Sequence, residues 1–360
     1  MVIVKYVVLH HIDLYQTEKV LTYTMKLKRI IRDRGLLKML NISRCFSILF
    51  TCLAIIAGAA SAADYPTKPI KLVVAWSPGG TTDILARIIA QGLSEKLGET
   101  VLVENKPGGG NNIGTEYVIR SAPDGYTLNM TNPANAINAT LYKNLPFNFI
   151  NDTVPVAGVV RTPNVMVITG ALPVKTVAEF IAYCKANPTT VNMASSGSGS
   201  SIHLSGELFK IMTGCKMAHI PYKGAGPALN DLIAGQVQVM FDNLPSSAGF
   251  IKDGRIRALA VTTSVREASL PNVPTVAETV AGYEASAWFG ISAPKGTPRD
   301  IVEKLNTAVN QLLAESKIQK RLSELGGTPI PGTPEDFGKL ISNDTQKWER
   351  VVKSSGATVD

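Results

Sequence analysis

Residues 70–90, IKLVVAWSPGGTTDILARIIA, constrain the fold of this chain more than any other stretch. Ile70 to Trp76 is almost continuously apolar, the pattern of a strand buried on both faces. Ser77-Pro78-Gly79-Gly80 breaks that pattern as a turn, and from Thr82 the residues Ile84, Leu85, Ile88, Ile89 and Leu93 recur at helical spacing. A strand, a turn of small residues and a helix start leave free backbone N–H groups at the positive end of a helix dipole, a natural seat for a carboxylate or phosphate. Any α/β protein has such turns. Here comparable junctions recur at 108–112, 195–201 and 223–227, each setting Gly, Ser, Thr or Asn ahead of a helix.

Between these junctions strand and helix patterns alternate. Strands are expected at 101–104, 126–130, 156–160, 165–169, 191–194, 218–221, 237–241, 256–261 and 285–292. Thr176 and Glu179 have the spacing of a capping box for a helix reaching Ala186, and Gly214 and Gly235 stop two later helices. Three helices close the chain, near 298–315, 318–325 and 334–353. Thr131, Asn132 and Asn135 fall in a polar loop at the C-terminal end of a strand, where ligands of open α/β sheets bind. The alternation predicts an α/β fold of two lobes, each a mainly parallel sheet flanked by helices, with the helical tail folding back on the first.

The net charge of +8 belongs mostly to the first 62 residues, which hold nine Lys/Arg against three acids. The remainder has 27 basic and 25 acidic residues, so its charge gives no support for nucleic-acid binding. Residues 1–62 have the anatomy of a signal peptide with an over-long extension: a basic stretch to Arg44, an apolar run from Phe46 to Ala57, and Ala60-Ser61-Ala62. Cleavage near Ala62 into the periplasm is expected, with Met1, Met25 or Met39 as the start; an uncleaved anchor is the alternative. Cys184 and Cys215 remain in the body, and one disulfide or two buried thiols are both open.

Nucleotide and catalytic signatures fail in detail. There is no P-loop, and a dinucleotide fingerprint begun at Gly108 meets Ile113 where its third glycine belongs. The serine-hydrolase elbow is absent because Gly197-Ser198-Gly199 lacks both spacers. A secreted hydrolase using a serine of 195–201, with His203 or His219 as base, stays as the alternative function. Beyond the first 62 residues two histidines remain, His203 and His219, too few donors for a metal site, and no metal or cofactor is expected. Asp83 and Asp242 are read as helix-capping or loop-orienting acids beside the pocket. Lys223 is placed to offset a ligand's negative charge, and Trp76 and Phe289 are core residues or cleft walls.

Several ordered motifs carry a family resemblance. They are Tyr65-Pro66…Pro69-Ile70, Ser77-Pro78-Gly79-Gly80…Asp83, and Val103-Glu104-Asn105-Lys106-Pro107-Gly108…Asn112-Ile113-Gly114. Ala122-Pro123-Asp124-Gly125-Tyr126-Thr127-Leu128, His219-Ile220-Pro221-Tyr222-Lys223-Gly224, Phe241-Asp242-Asn243 and the run from Gly290 to Pro298 continue the pattern. The chain from Ala63 resembles the extracytoplasmic solute receptors of tripartite tricarboxylate transporters, the Bug receptors. The resemblance implies a non-enzymatic periplasmic binding protein of Venus-flytrap form, a monomer. Lobe 1 would be 63–164 plus 287–360, and lobe 2 would be 165–286. It implies a small organic carboxylate as ligand, held by loop N–H groups, hydroxyls and waters, and a membrane permease or a sensor kinase as partner. The matching ligand-binding positions are Ser77, Gly79, Gly80, Thr81 and Asp83 in lobe 1, and Trp76, Thr131, Asn132, Asn135 and Phe289 are read as ligand-binding beside them. Those in lobe 2 are Ser195, Ser196, Ser200, Tyr222, Lys223, Gly224 and Asp242. Trp76 stands where the family more often has Phe or a smaller residue, which narrows the pocket.

Overall fold

The computed structural model describes residues 24–26, 28–29, 65–355 and 359. The features of the leader, including the cleavage site at Ala62, lie outside the described residues. Residues 1–61 form a separate unit, of which 24–26 and 28–29 are helical and exposed. Residues 62–360 form the other unit, and it holds every element named below.

The first half of this unit runs β1 (Ile70–Val74), α1 (Thr81–Leu97), β2 (Val101–Asn105), α2 (Asn112–Ile119), β3 (Thr127–Thr131), α3 (Pro133–Leu141) and α4 (Phe149–Asp152). β1 lies between β2 and β3, parallel to both, which is why its side chains are buried on both faces apart from Lys71. The long β4 (Thr153–Thr169) leads to a second half: α5 (Val177–Ala186), β5 (Asn192–Ser195), α6 (Ser201–Thr213), β6 (Ala218–Pro221), α7 (Ala225–Ile233), β7 (Val239–Asn243), α8 (Leu244–Lys252) and β8 (Ile256–Val261). β5 is again parallel to both its neighbours, β6 and β7. The chain returns through β9 (Ser286–Pro294) and ends with α9 (Arg299–Leu313), α10 (Ser316–Glu324), β10 (Thr328–Pro329) and α11 (Pro334–Ser355).

The strand order β2-β1-β3-β9-β4-β7-β5-β6 puts two antiparallel strands, β9 and β4, between the parallel sets. β4 pairs with β9 from Thr153 to Pro163 and with β7 and β8 from Asn164 onward, so one strand serves both sets. The sequence reads it as two runs, because Arg161-Thr162-Pro163-Asn164 interrupts the apolar pattern where the partner strands change. The three larger apolar clusters divide at the same place, while a smaller one joins Ile137, Leu141 and Trp348 to Leu204 across it. One cluster joins Leu72, Leu85, Ile89, Phe289 and Leu312; two others, around Met166, Phe180, Phe209 and Phe241 and around Val165, Leu229 and Met240, draw on 165–283.

Other local readings shift for identifiable reasons. The polar stretch after β3 is the start of α3: Asn132 accepts from Ala134 N–H at 3.1 Å, and Asn135 Oδ1 accepts in return from Asn132 N–H at 3.0 Å. Thr176 caps α5 through Glu179 N–H, but the Glu179 carboxylate accepts from Lys175 N–H, one residue before the cap. Cys184 and Cys215 are both buried free thiols in this structure. Cys184 Sγ donates to the Lys216 carbonyl at 3.2 Å.

Candidate functional site

Three helices point their N-termini at one cavity. α1 contributes Gly80, Thr81 and Thr82; α6 contributes Ser200, Ser201 and Ile202; α7 contributes Ala225. Ser196 and Asn243 come from the ends of β5 and β7, and Asn132 and Pro133 open α3. Trp76 and Phe289 supply aromatic wall. The cavity is narrow, with about 20 Å³ open to the centre of a water-sized sphere. Among the described residues no charged side chain lines it. The first N–H groups of each helix lack intrahelical acceptors, and neither Gly80 nor Gly224 caps its helix with a side chain. An anion here would meet several positive dipole ends and hydroxyl donors at once. Thr82 and Ser196 face the cavity with hydroxyls that no other described protein group occupies.

The walls are held by contacts between the two halves. Ser77 donates to the Lys223 carbonyl through both its N–H, at 3.0 Å, and its hydroxyl, at 2.9 Å. Across the cavity Thr81 Oγ1 and Ser246 Oγ stand 3.0 Å apart, and Thr81 Oγ1 accepts from Ser246 N–H at 3.2 Å. Glycine is required at Gly224, whose φ is +156°, because a Cβ there would lie 3.0 Å from Ser77 Cβ.

Of the residues singled out from sequence, Trp76, Gly80, Thr81, Asn132, Ser196, Ser200 and Phe289 line the cavity. The others are not in its wall, and each has another task. Asp83 is buried and accepts from Gly79 N–H, Asn105 and Arg87, shaping the turn. Burial raises its pKa, but the bonds from Arg87, Gly79 and Asn105 outweigh that and hold the carboxyl below its usual range. Ser77 and Gly224 form the contact between halves, and Gly79 is exposed. Thr131 bonds Ser292 at 2.7 Å, and Asn135 completes the α3 cap and donates to Thr115. Tyr222 donates to Asp231 at 2.6 Å, and the Lys223 side chain is exposed, offering only its carbonyl. Asp242 is fully buried, accepting from Ser246 at 2.6 Å and from Ser247, while its Oδ1 has no partner. Desolvation pushes its pKa up to about 6.

Sequence reasoning passed over Thr82, Pro133, Ser201, Ile202, Ala225 and Asn243 as lining residues. Thr82 and Ser201 sit one position deeper into junctions already recognised, so the first turn of each helix, and not only the loop before it, was the available signal.

Ser195 has the partner a hydrolase would need: its Oγ lies 2.6 Å from His219 Nε2. Yet Ser195 is wholly buried, outside the cavity wall, and its oxygen accepts from Gly197 N–H at 3.1 Å. Among the described residues no three His, Cys, Asp or Glu side chains are grouped as metal ligands, and no helix is long and apolar enough to cross a membrane.

Comparison with known proteins reaches the same family. Residues 85–357 match the family model described as tripartite tricarboxylate transporter family receptor. The chain belongs to this receptor family. BugT of Bordetella pertussis is 38% identical over 325 residues, covering 88% of this chain and 99% of that protein. Two solved structures from Rhodopseudomonas palustris superpose closely. Rpa4515 with adipate has a TM-score of 0.80 at 41% identity, covering 81% of this chain and 99% of that one. MatC with bound malate has a TM-score of 0.77 at 31% identity, covering 80% of this chain and 100% of its own. The fold is therefore that of a two-lobed periplasmic binding protein, and the receptor is a solute-binding protein. The hydrolase alternative finds no support.

Proposed function

We propose that this receptor captures a small organic carboxylate in the cavity between two lobes and presents it to a membrane permease of the tripartite tricarboxylate type, or to a sensor kinase. The convergence of three helix N-termini on a cavity without charged side chains carries this reading. Such a site binds an anion by dipoles, N–H groups and hydroxyls, and needs no arginine. Adipate and malate, bound by the two relatives, are both acids of this kind. The unoccupied hydroxyls of Ser196 and Thr82 would meet carboxylate oxygens, with Trp76 and Phe289 against the carbon chain. Lobe 1 would comprise 63–164 and 287–360 and lobe 2 165–286, a division supported by the partner change along β4. The receptor would act as a monomer without catalysing turnover, exported and cleaved near Ala62.

Thermal unfolding of the mature protein, refolded to strip bound ligand, tests this against mono-, di-, tri- and aromatic carboxylates, adipate and malate included. A ligand at about 100 times its dissociation constant adds roughly 2.7 kcal/mol, enough to raise the midpoint by several degrees. One class of acid giving that rise, with no product by mass spectrometry, is the expected result. A flat panel from folded protein would remove the carboxylate. Mass spectrometry of the native N-terminus tests cleavage.

A further inference from the structure

We infer that His203 and His219 are positioning residues: their stacked rings hold the loop 195–199 in its cavity-lining shape only while both present a lone pair to it. Capture therefore weakens in acid through this pair. This rests on the carboxylate reading for its binding assay but not for its structural readout.

The two imidazoles lie face to face, ring centroids 3.9 Å apart and planes 13° off parallel. His203 Nδ1 accepts from Gly199 N–H at 3.3 Å. A backbone amide can only donate, so that nitrogen carries no proton. Ser195 Oγ has two partners, Gly197 N–H at 3.1 Å and His219 Nε2 at 2.6 Å. The amide occupies one of the oxygen's two lone pairs, and among the described residues His219 Nε2 is the one acceptor within reach of the hydroxyl proton, so that nitrogen accepts it. Both ends of the loop thus hang on an unprotonated ring nitrogen, with the cavity-lining Ser196 between them. Protonating His203 Nδ1 sets a donor against the Gly199 amide, and protonating His219 Nε2 leaves the Ser195 hydroxyl proton without its acceptor.

Among the described residues the charged groups acting on the pair are Glu207 and Lys210, both on α6. Glu207 Oε1 stands 3.6 Å from His203 Nε2, and Lys210 bonds the same carboxylate at 2.8 Å. From β5 and its loop the pair meets a hydroxyl and an amide. Two rings stacked this closely resist holding two charges. Burial first, and His203 second, push the His219 pKa down to about 3. A histidine whose folded pKa is depressed contributes stability above its unfolded value, near 6.5, and loses it as pH falls towards the folded value.

Trp76 reports on the loop. Its ring edge is packed so close to Gly197 that a Cβ there would lie 3.0 Å from Cζ3. The experiment compares adipate and malate affinity of the wild type and of His219→Gln from about pH 7.5 to about pH 5.5, and follows the Trp76 indole N–H resonance, assigned by its loss in Trp76→Phe, without ligand. The ligand's own protonation affects both proteins equally and cancels. A ring with the ordinary histidine value of about 6.5 once the loop lets go predicts a larger loss of affinity in the wild type, by up to about tenfold. The Trp76 resonance should move over the same range in the wild type and move less in the variant, where His203 alone remains to titrate. Equal pH dependence in the two proteins, or a motionless Trp76 resonance, overturns the inference. If neither acid binds, the resonance alone decides, so the carboxylate reading falls separately. If His219→Gln does not fold, the ring protons of His203 and His219, the only histidines beyond the leader, are titrated in the wild type. Midpoints coinciding with the Trp76 shift support the inference, and unrelated midpoints overturn it.

Discussion

Neighbouring residues in this site have opposite fates. Ser195 is turned into the protein to serve His219, while Ser196 is turned into the cavity with its hydroxyl unclaimed. A hydroxyl bonded to a charged ligand contributes about 1.5–3 kcal/mol. Ser196→Ala should therefore weaken carboxylate binding by roughly ten- to a hundredfold, with the ligand-free melting temperature essentially unchanged; calorimetric titration beside a melt separates the two. Asp242 behaves differently, because its raised pKa makes it a stability determinant. A carboxyl raised in the folded state favours folding below its unfolded pKa and loses that contribution as pH rises through about 6. Asp242→Asn keeps an oxygen for Ser246 and Ser247 and removes the buried charge. The variant should melt above the wild type at pH values above 6 and lose that advantage as pH falls toward 4. A gap that widens in acid would contradict this assignment. Sequence alone does not distinguish Ser195 from Ser196, since one residue's shift along a strand end reverses which side a side chain faces.

Elements were far more legible than side chains. The apolar runs of β1, β5 and β7 and the periodicity of α1 and α11 are local signals, read within a residue or two of their bounds. α3 and α8 were hidden because asparagine, proline and serine at their starts look like loop, and β4 because it changes partners midway. Ties between distant elements leave no local trace. Asp344 on α11 accepts from Trp288 Nε1 on β9 at 2.6 Å and from Trp348 Nε1 at 2.9 Å, both indoles being buried. Burial raises the Asp344 pKa more than the two indole bonds and nearby Lys347 lower it. Asp344→Ala strands two buried donors, at about 1–3 kcal/mol each. Circular dichroism melts should show a drop on the order of 5–10 °C. Asp344→Asn, which keeps one acceptor, should lose less.

At the scale of the molecule the two halves touch directly, through Ser77 and Lys223 and through Thr81 and Ser246, and whether ligand drives that contact can be tested without touching the cavity lining. Gly226 lies in the first turn of α7, at a backbone conformation open to any residue. A Cβ there would lie 2.7 Å from the Pro78 carbonyl on the opposite half, and the next nearest atoms, at 3.8 Å, also belong to Pro78 and Gly79. In an opened molecule those neighbours belong to the other lobe, so Gly226→Ala should be tolerated and even help α7 by roughly 0.5–1 kcal/mol, the helical advantage of Ala over Gly. On closure the methyl meets rigid backbone, which cannot step aside as a side-chain end would. The expected variant is at least as stable as wild type without ligand, binds carboxylate tenfold or more weakly, and fails to shrink on ligand addition in small-angle scattering. Stability and affinity then move in opposite directions, which simple misfolding does not produce. If Gly226→Ala binds and compacts like wild type, the contact between Pro78 and α7 is not part of the ligand-bound state, and closure of the two lobes about β4 and β9 loses its main support.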